Sequence, residues 1–152
     1  HYAQAIAADL VKDKTKKFFS LEENDHPFVA RSEDETKVVR DGNNLHIAMT
    51  TIRTHFMPDN IEGAKVGDKV YFHVTNLEQD WDVPHGFAVL GANNSELLVM
   101  PGQTRTLLWE PKEPGVYPFY CTDFCSALHQ EMQGYIRVSP ENSSIQISYN
   151  KP

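Results

Sequence analysis

Leu45-His46-Ile47-Ala48-Met49-Thr50-Thr51-Ile52-Arg53-Thr54 decides the fold by its spacing. Leu45, Ile47 and Met49 fall on one side of an extended chain, and His46, Ala48 and Thr50 on the other. A repeat of two residues belongs to a β-strand with a buried face. Working outward, Lys37 to Arg40 reads as a short strand, closed by the turn signal Asp41-Gly42. Lys69 to Asn76 alternates again, with Val70, Phe72 and Val74 against Tyr71, His73 and Thr75. His85 to Leu90, Thr104 to Trp109, Val116 to Tyr120 and Gly134 to Val138 are further strands. Pro101-Gly102 and Glu113-Pro114-Gly115 supply turns between them. The run from Glu96 to Met100 is apolar and strand-sized, and Pro58 to Asp68 reads as loop. Short strands at regular spacing with Gly and Pro turns predict an all-β sandwich or barrel.

The flanks read differently. His1 to Phe19 favours a helix or a linker, and Ser20 to Glu35 is polar and loop-like, so residues 1–35 are expected to form an N-terminal extension. Residues 36–140 form the domain. Residues 141–152 are a polar tail with a weak strand at Ile145 to Ser148. The chain starts at His1 without a basic and apolar leader, which leads us to expect a piece of something longer.

Composition narrows the function classes. Of 152 residues, 40% are hydrophobic and 23% charged, and the net charge is −7 with His neutral. An acidic surface is a poor match for nucleic acid, whose phosphates attract basic proteins. No stretch approaches the ~18 apolar residues that a membrane helix needs. The two cysteines, Cys121 and Cys125, are too few for a disulfide framework.

Those cysteines sit in Tyr120-Cys121-Thr122-Asp123-Phe124-Cys125-Ser126-Ala127-Leu128-His129-Gln130-Glu131-Met132, with the spacing Cys-x3-Cys-x3-His-x2-Met. The segment lies between two strands, on a loop at one end of the sandwich, where sites are usually built. Thiolate and thioether are soft donors and imidazole is borderline, a set that selects copper, zinc or iron–sulfur. Methionine is a poor zinc ligand and a familiar axial ligand of copper. An iron–sulfur cluster would want four cysteines. A mononuclear blue copper site needs one cysteine, so the second has a use if both sulfurs bridge two copper ions. Each copper then needs a His and a weak ligand. His129 and Met132 supply two of these, and a backbone carbonyl serves as a third.

The remaining His is best found at His85, in Asp82-Val83-Pro84-His85-Gly86-Phe87. There Pro84 fixes the preceding chain and Gly86 leaves room for a neighbour. His55 ranks second, at a strand end. His46 and His73 lie opposite Ile47 and Phe72 on their strands, and His1 and His26 lie in the extension. Glu78, Asp80 and Asp82 are candidates to hydrogen-bond the far nitrogen of His85. Trp81, Phe87 and Phe124 are candidate site neighbours, although each read singly is a core or rim aromatic. The competing reading of the cysteines is an i,i+4 disulfide in the metal-free protein.

The joint pattern resembles the binuclear copper (CuA) domain found in nitrous oxide reductase and in subunit II of haem–copper cytochrome oxidases. Cys125-Ser126-Ala127-Leu128-His129-Gln130-Glu131-Met132 resembles the reductase pattern Cys-x-Ala-Leu-His-x-Glu-Met. Arg40-Asp41-Gly42-Asn43 and Thr75-Asn76-Leu77 resemble it too. The oxidase subunit usually has Glu between its cysteines and carries membrane helices. The resemblance covers residues 36–140 and implies a Greek-key β-sandwich of the cupredoxin type.

It further implies that Cys121 and Cys125 bridge both coppers. His85 and Met132 would complete one copper, and His129 with the Asp123 carbonyl the other. Many reductases have Trp where this chain has Asp123, and a carbonyl ligand tolerates that change. The implied role is one-electron transfer. Electrons would come from a periplasmic c-type cytochrome or small copper protein and go to the copper–sulfide cluster that reduces N2O in denitrification. That cluster sits on a propeller domain absent from these residues, typically across a homodimer. The alternatives are an oxidase subunit II fragment, a copper-delivery module, or a thiol oxidoreductase. The last would want Cys-x-x-Cys on a βαβ unit.

Overall fold

The structure is a computed structural model that describes residues 21–52, 55–79, 83–92, 96–122 and 132–152. The alternating segments form strands, in this order: β1 (Lys37–Asp41), β2 (Asn44–Ile52), β3 (His55–Met57), β4 (Asn60–Lys65), β5 (Lys69–Asn76), β6 (His85–Val89), β7 (Glu96–Val99), β8 (Thr104–Trp109), β9 (Gly115–Tyr120), β10 (Gln133–Ser139) and β11 (Ser148–Tyr149). They make two sheets. One runs β1-β2-β5-β8 with β3 beside β2, and the other runs β11-β4-β10-β9-β6-β7. The β2–β5 and β4–β10 pairs are parallel, and the rest are antiparallel. The all-β sandwich expected from the period-two repeat is the observed architecture. Among the described residues no helix is long and apolar enough to cross a membrane.

The alternation predicts the buried faces correctly. Leu45, Ile47 and Met49 from β2 and Val70, Phe72 and Val74 from β5 are fully buried between the sheets. Phe87 of β6 meets them from the opposite sheet, edge-on to Phe56 at 5.5 Å and tilted against Phe72 at 5.2 Å. Phe119 of β9 completes this cluster. Each fully buried Phe contributes roughly 1.5–3 kcal/mol. Phe87 and Phe119 of the second sheet each pack against both Phe56 and Phe72 of the first, which fixes how one sheet lies on the other.

Two segments depart from expectation. The stretch Pro58 to Asp68 is not all loop, because Asn60–Lys65 forms β4. It pairs parallel to β10, with Ile61 opposite Ile136 and Ala64 opposite Val138, and both Ile61 and Ala64 are fully buried. Its Gly63 and flanking Pro58 read locally as turn residues, and a distant partner overrides them. The tail strand is Ser148–Tyr149 rather than Ile145 to Ser148, since its register is set by pairing with Ile61 and Glu62.

Residues 24–36 cover the outer face of the first sheet. Phe28 stacks on the rings of both His46 and His73, each at 4.4 Å. Asn24 donates to the Gly102 carbonyl and to Thr104, and the Ala30 N–H to Thr75. The expectation of a helix over residues 1–19 falls outside the described residues.

Candidate metal centre

The site is built at one end of the second sheet by continuing its ladders past the last paired residues. In β9 the odd residues point inward: Tyr117 packs on Trp109 and Phe119 is fully buried. Cys121 is the next odd position and is also buried. In β10 the even residues point inward, Ile136 and Val138 among them, and Met132 is the next one down, fully buried. Tyr120 pairs with Gln133, and the Cys121 N–H donates to the Met132 carbonyl at 3.0 Å. Cys121 and Met132 are therefore cross-strand neighbours, and the segment 122–131 leaves from one and returns to the other.

His85 reaches the same place from β6. It shares the inward face with Phe87, two residues on, and has no exposed surface. The β6–β9 ladder pairs Ala88 with Tyr120 and Val89 with Phe119. Extended two steps, it sets Gly86 against Thr122. A Cβ placed on Gly86 would lie 1.7 Å from Thr122 Oγ1 and 3.2 Å from the Thr122 nitrogen. A side chain there would force the Thr122 hydroxyl to turn away and would press on its Cβ. Glycine is thus what lets the chain after Cys121 close onto β6 directly beside His85.

His85 Nε2 lies 3.7 Å from Glu78 Oε2, and Glu78 is nearly buried. That distance exceeds a direct hydrogen bond. The carboxylate still faces one ring nitrogen and leaves the other nitrogen on the opposite edge of the ring. Of the three acids named from the sequence, Glu78 is the one the described residues place against His85. Asp80 and Asp82 lie outside them, as do Trp81 and Phe124. Phe87 belongs to the core cluster.

The other described histidines point elsewhere. His46 and His73 sit on the outer face of the first sheet, joined Nδ1 to Nε2 at 2.9 Å. His73 also bonds Thr106 at 2.7 Å. Burial, with His26 and His46 close by, pushes the His73 pKa down to about 3. Burial also lowers that of His26, against the pull of Asp25. His55, the second-ranked candidate, meets Glu33 at 2.5 Å on the exposed side of β3. His85 is therefore the one described histidine that faces into the sandwich.

Asp123, Cys125 and His129 lie outside the described residues. Among the described residues no three His, Cys, Asp or Glu side chains stand together as a metal-holding group. Cys121 is disulfide-bonded in this structure. With Cys121 reduced to its thiolate, the described donors are one borderline imidazole, one soft thiolate and one soft thioether, a set suited to copper. They are buried and lie at or just beyond the ends of three adjacent strands, at one end of the sheet, so the residues present fit a copper centre.

Asn76 was legible in the sequence only as part of Thr75-Asn76-Leu77. It is fully buried at the end of β5, and its side chain donates to the carbonyls of Val83 and Val99. A primary amide ending an apolar alternation, just before a loop to a candidate ligand, is the signal that marks it.

No family model matches the chain. It is 38% identical over 106 residues to nitrous-oxide reductase of Stutzerimonas stutzeri, covering 70% of this chain and 16% of that protein. It is 32% identical over 120 residues to nitrous-oxide reductase of Cupriavidus necator, covering 79% and 18%. It is also 38% identical over 84 residues to cytochrome c oxidase subunit 2 of Thermus thermophilus, covering 55% and 57%. The chain thus spans less than a fifth of these reductases and little more than half of the oxidase subunit. In three dimensions it is similar to a chain of a heme-copper terminal oxidase dimer, with a TM-score of 0.55 at 23% identity, covering 68% of this chain and 78% of that one. It is also similar to auracyanin B, with a TM-score of 0.51 at 15% identity, covering 68% and 94%.

Proposed function

For this cupredoxin-fold chain, homologous to nitrous-oxide reductase and to cytochrome c oxidase subunit 2, we propose one-electron transfer through a binuclear CuA centre. The supporting observation is the convergence of His85, Cys121 and Met132 on one inward face at the root of the 122–131 segment. In this reading Cys121 and Cys125 would hold both metal ions, with His85 and Met132 the further candidates for one and His129 and the Asp123 carbonyl for the other. Copper supplies a one-electron couple that none of these side chains has alone.

The chain's own part is to hold that couple still and dry. His85 and Met132 have no exposed surface, and the phenylalanine cluster lies directly beneath them. Ligands fixed on a hydrogen-bonded ladder cannot rearrange far between two charge states, so little energy goes into reorganisation. Glu78, beside the Nε2 edge, favours the tautomer with its proton on that nitrogen and leaves the other nitrogen as the donor. We assign the domain as an electron port in the periplasm. It would accept electrons from a small c-type cytochrome or copper protein and pass them to a copper–sulfide cluster on a partner domain. The Thermus oxidase subunit supports a second reading of the same centre, as the port of a terminal oxidase.

The test is electron paramagnetic resonance of the reduced, copper-loaded and then partly reoxidised protein. An electron shared equally by two copper nuclei gives seven hyperfine lines, and Cys121→Ser and Cys125→Ser should abolish them. A four-line spectrum would replace the pair with a single copper. Exchangeable copper with no mixed-valence state would make the domain a delivery module.

A further inference from the structure

We propose that Asn76 is a positioning residue for His85, through one side-chain amide that ties together three parts of the chain around that ring. The proposal rests on the copper reading of the site. Asn76 Nδ2 donates to the Val83 carbonyl at 3.1 Å and to the Val99 carbonyl at 2.9 Å, and Asn76 Oδ1 accepts from the Glu78 N–H at 2.8 Å. Val83 lies two residues before His85. Val99 is the ladder partner of His85 on β7. Glu78 carries the carboxylate that faces His85 Nε2.

The backbone of Asn76 is used as well. Its N–H donates to the Gln103 carbonyl at 3.0 Å, and its carbonyl accepts from the Gly102 N–H at 2.9 Å. Each polar group of the residue is thus committed, in a place with no access to water. The approach to β6, the strand beside it and the carboxylate on the ring all take their positions from one anchor at the end of β5.

Only a primary amide does this. Two carbonyls on one side demand two N–H donors, and one backbone N–H on the other demands an acceptor. Aspartate keeps the acceptor and offers no donor to the carbonyls. Serine is too short to span all three. Either change leaves buried carbonyls unsatisfied, and the part of the chain they release is the part that sets the height and tilt of the His85 ring.

The experiment compares Asn76→Asp and Asn76→Ser with Asp68→Asn. Asp68 is another buried knot, paired with Arg40 at 2.8 Å in a different part of the molecule. All three should melt at lower temperature. The Asn76 variants alone should alter the copper hyperfine pattern, shift the reduction potential and weaken copper binding about 10–100-fold, the usual loss when a residue orienting a metal-bound His is removed. In the metal-free, reduced protein they should also move the ring NMR signals of His85, whereas Asp68→Asn should not. Asn76 variants with lowered melting temperature but wild-type His85 signals and spectrum would overturn the assignment. A wild type without the seven-line spectrum would overturn the copper-pair reading, and the metal-free His85 signals would still decide the role of Asn76.

Discussion

Gly86 shows how much of the site depends on an absent side chain. The sequence marked it as making room beside His85, and the structure identifies the neighbour as Thr122. Gly86→Ala places a methyl 1.7 Å from Thr122 Oγ1 and 3.0 Å from its Cβ. The hydroxyl can turn away, but the Cβ contact must open the gap between β6 and the chain after Cys121. We expect a loss of about 1–3 kcal/mol, as overpacking usually costs, with disturbed copper binding, read by thermal melting and copper titration. Adding Thr122→Ala should recover part of both. If the single variant binds copper as the wild type does, the close approach at this point is irrelevant to the centre. His85, Cys121 and Met132 were legible as candidates, because sulfur donors at that spacing have few other uses and a histidine between Pro84 and Gly86 stands apart. Asn76 was not, because its value lies in three contacts that sequence separation hides.

At the scale of the element, the strands with clean alternation were readable and β4 was not. Its Gly63 adopts φ +115°, a conformation that reads as a turn in the sequence, and its partner β10 lies some seventy residues on. Only the folded chain brings Ile61 against Ile136. Where β10 runs beside the start of β4 the packing is tight. A Cβ on Gly134 would meet the Asp59 carbonyl oxygen at 2.5 Å and the Phe119 ring at 2.5 Å. Neither a backbone carbonyl nor a packed aromatic ring yields cheaply. Gly134→Ala should therefore cost about 1–3 kcal/mol, seen as a lower denaturant midpoint with an unchanged slope. An unaltered midpoint would show that the two strands part without cost. Because β10 begins at the residue after Met132, the same variant should also disturb copper binding.

For the whole molecule, acid is the expected weakness. Folded His73 titrates at about 3, against an ordinary value of 6.5. Above pH 6.5 both folded and unfolded chains hold it neutral, and it adds no pH dependence. As pH falls from 6.5 towards 3 the unfolded chain takes up a proton that the folded one refuses, so stability declines across that window. The upper part of the window precedes carboxylate titration. Melting temperature should therefore already fall between pH 6.5 and 5, and His73→Gln should flatten that part of the curve. An equally steep curve in the variant would place the acid sensitivity elsewhere. The covering of this face by Phe28 was invisible in the sequence, which showed a polar stretch with one aromatic and no partner for it.

The two-residue strand β11 has a meaning beyond its size. It pairs with Ile61 and Glu62 along the open side of β4, and the Asn150 side chain accepts from the N–H groups of Asp59 and Asn60. An uncapped strand edge presents unpaired N–H and C=O groups to any other chain that passes. Residues 148–150 cover that edge. A copy shortened before Ser148 would keep its core and gain an adhesive border, ready to recruit a second copy edge to edge.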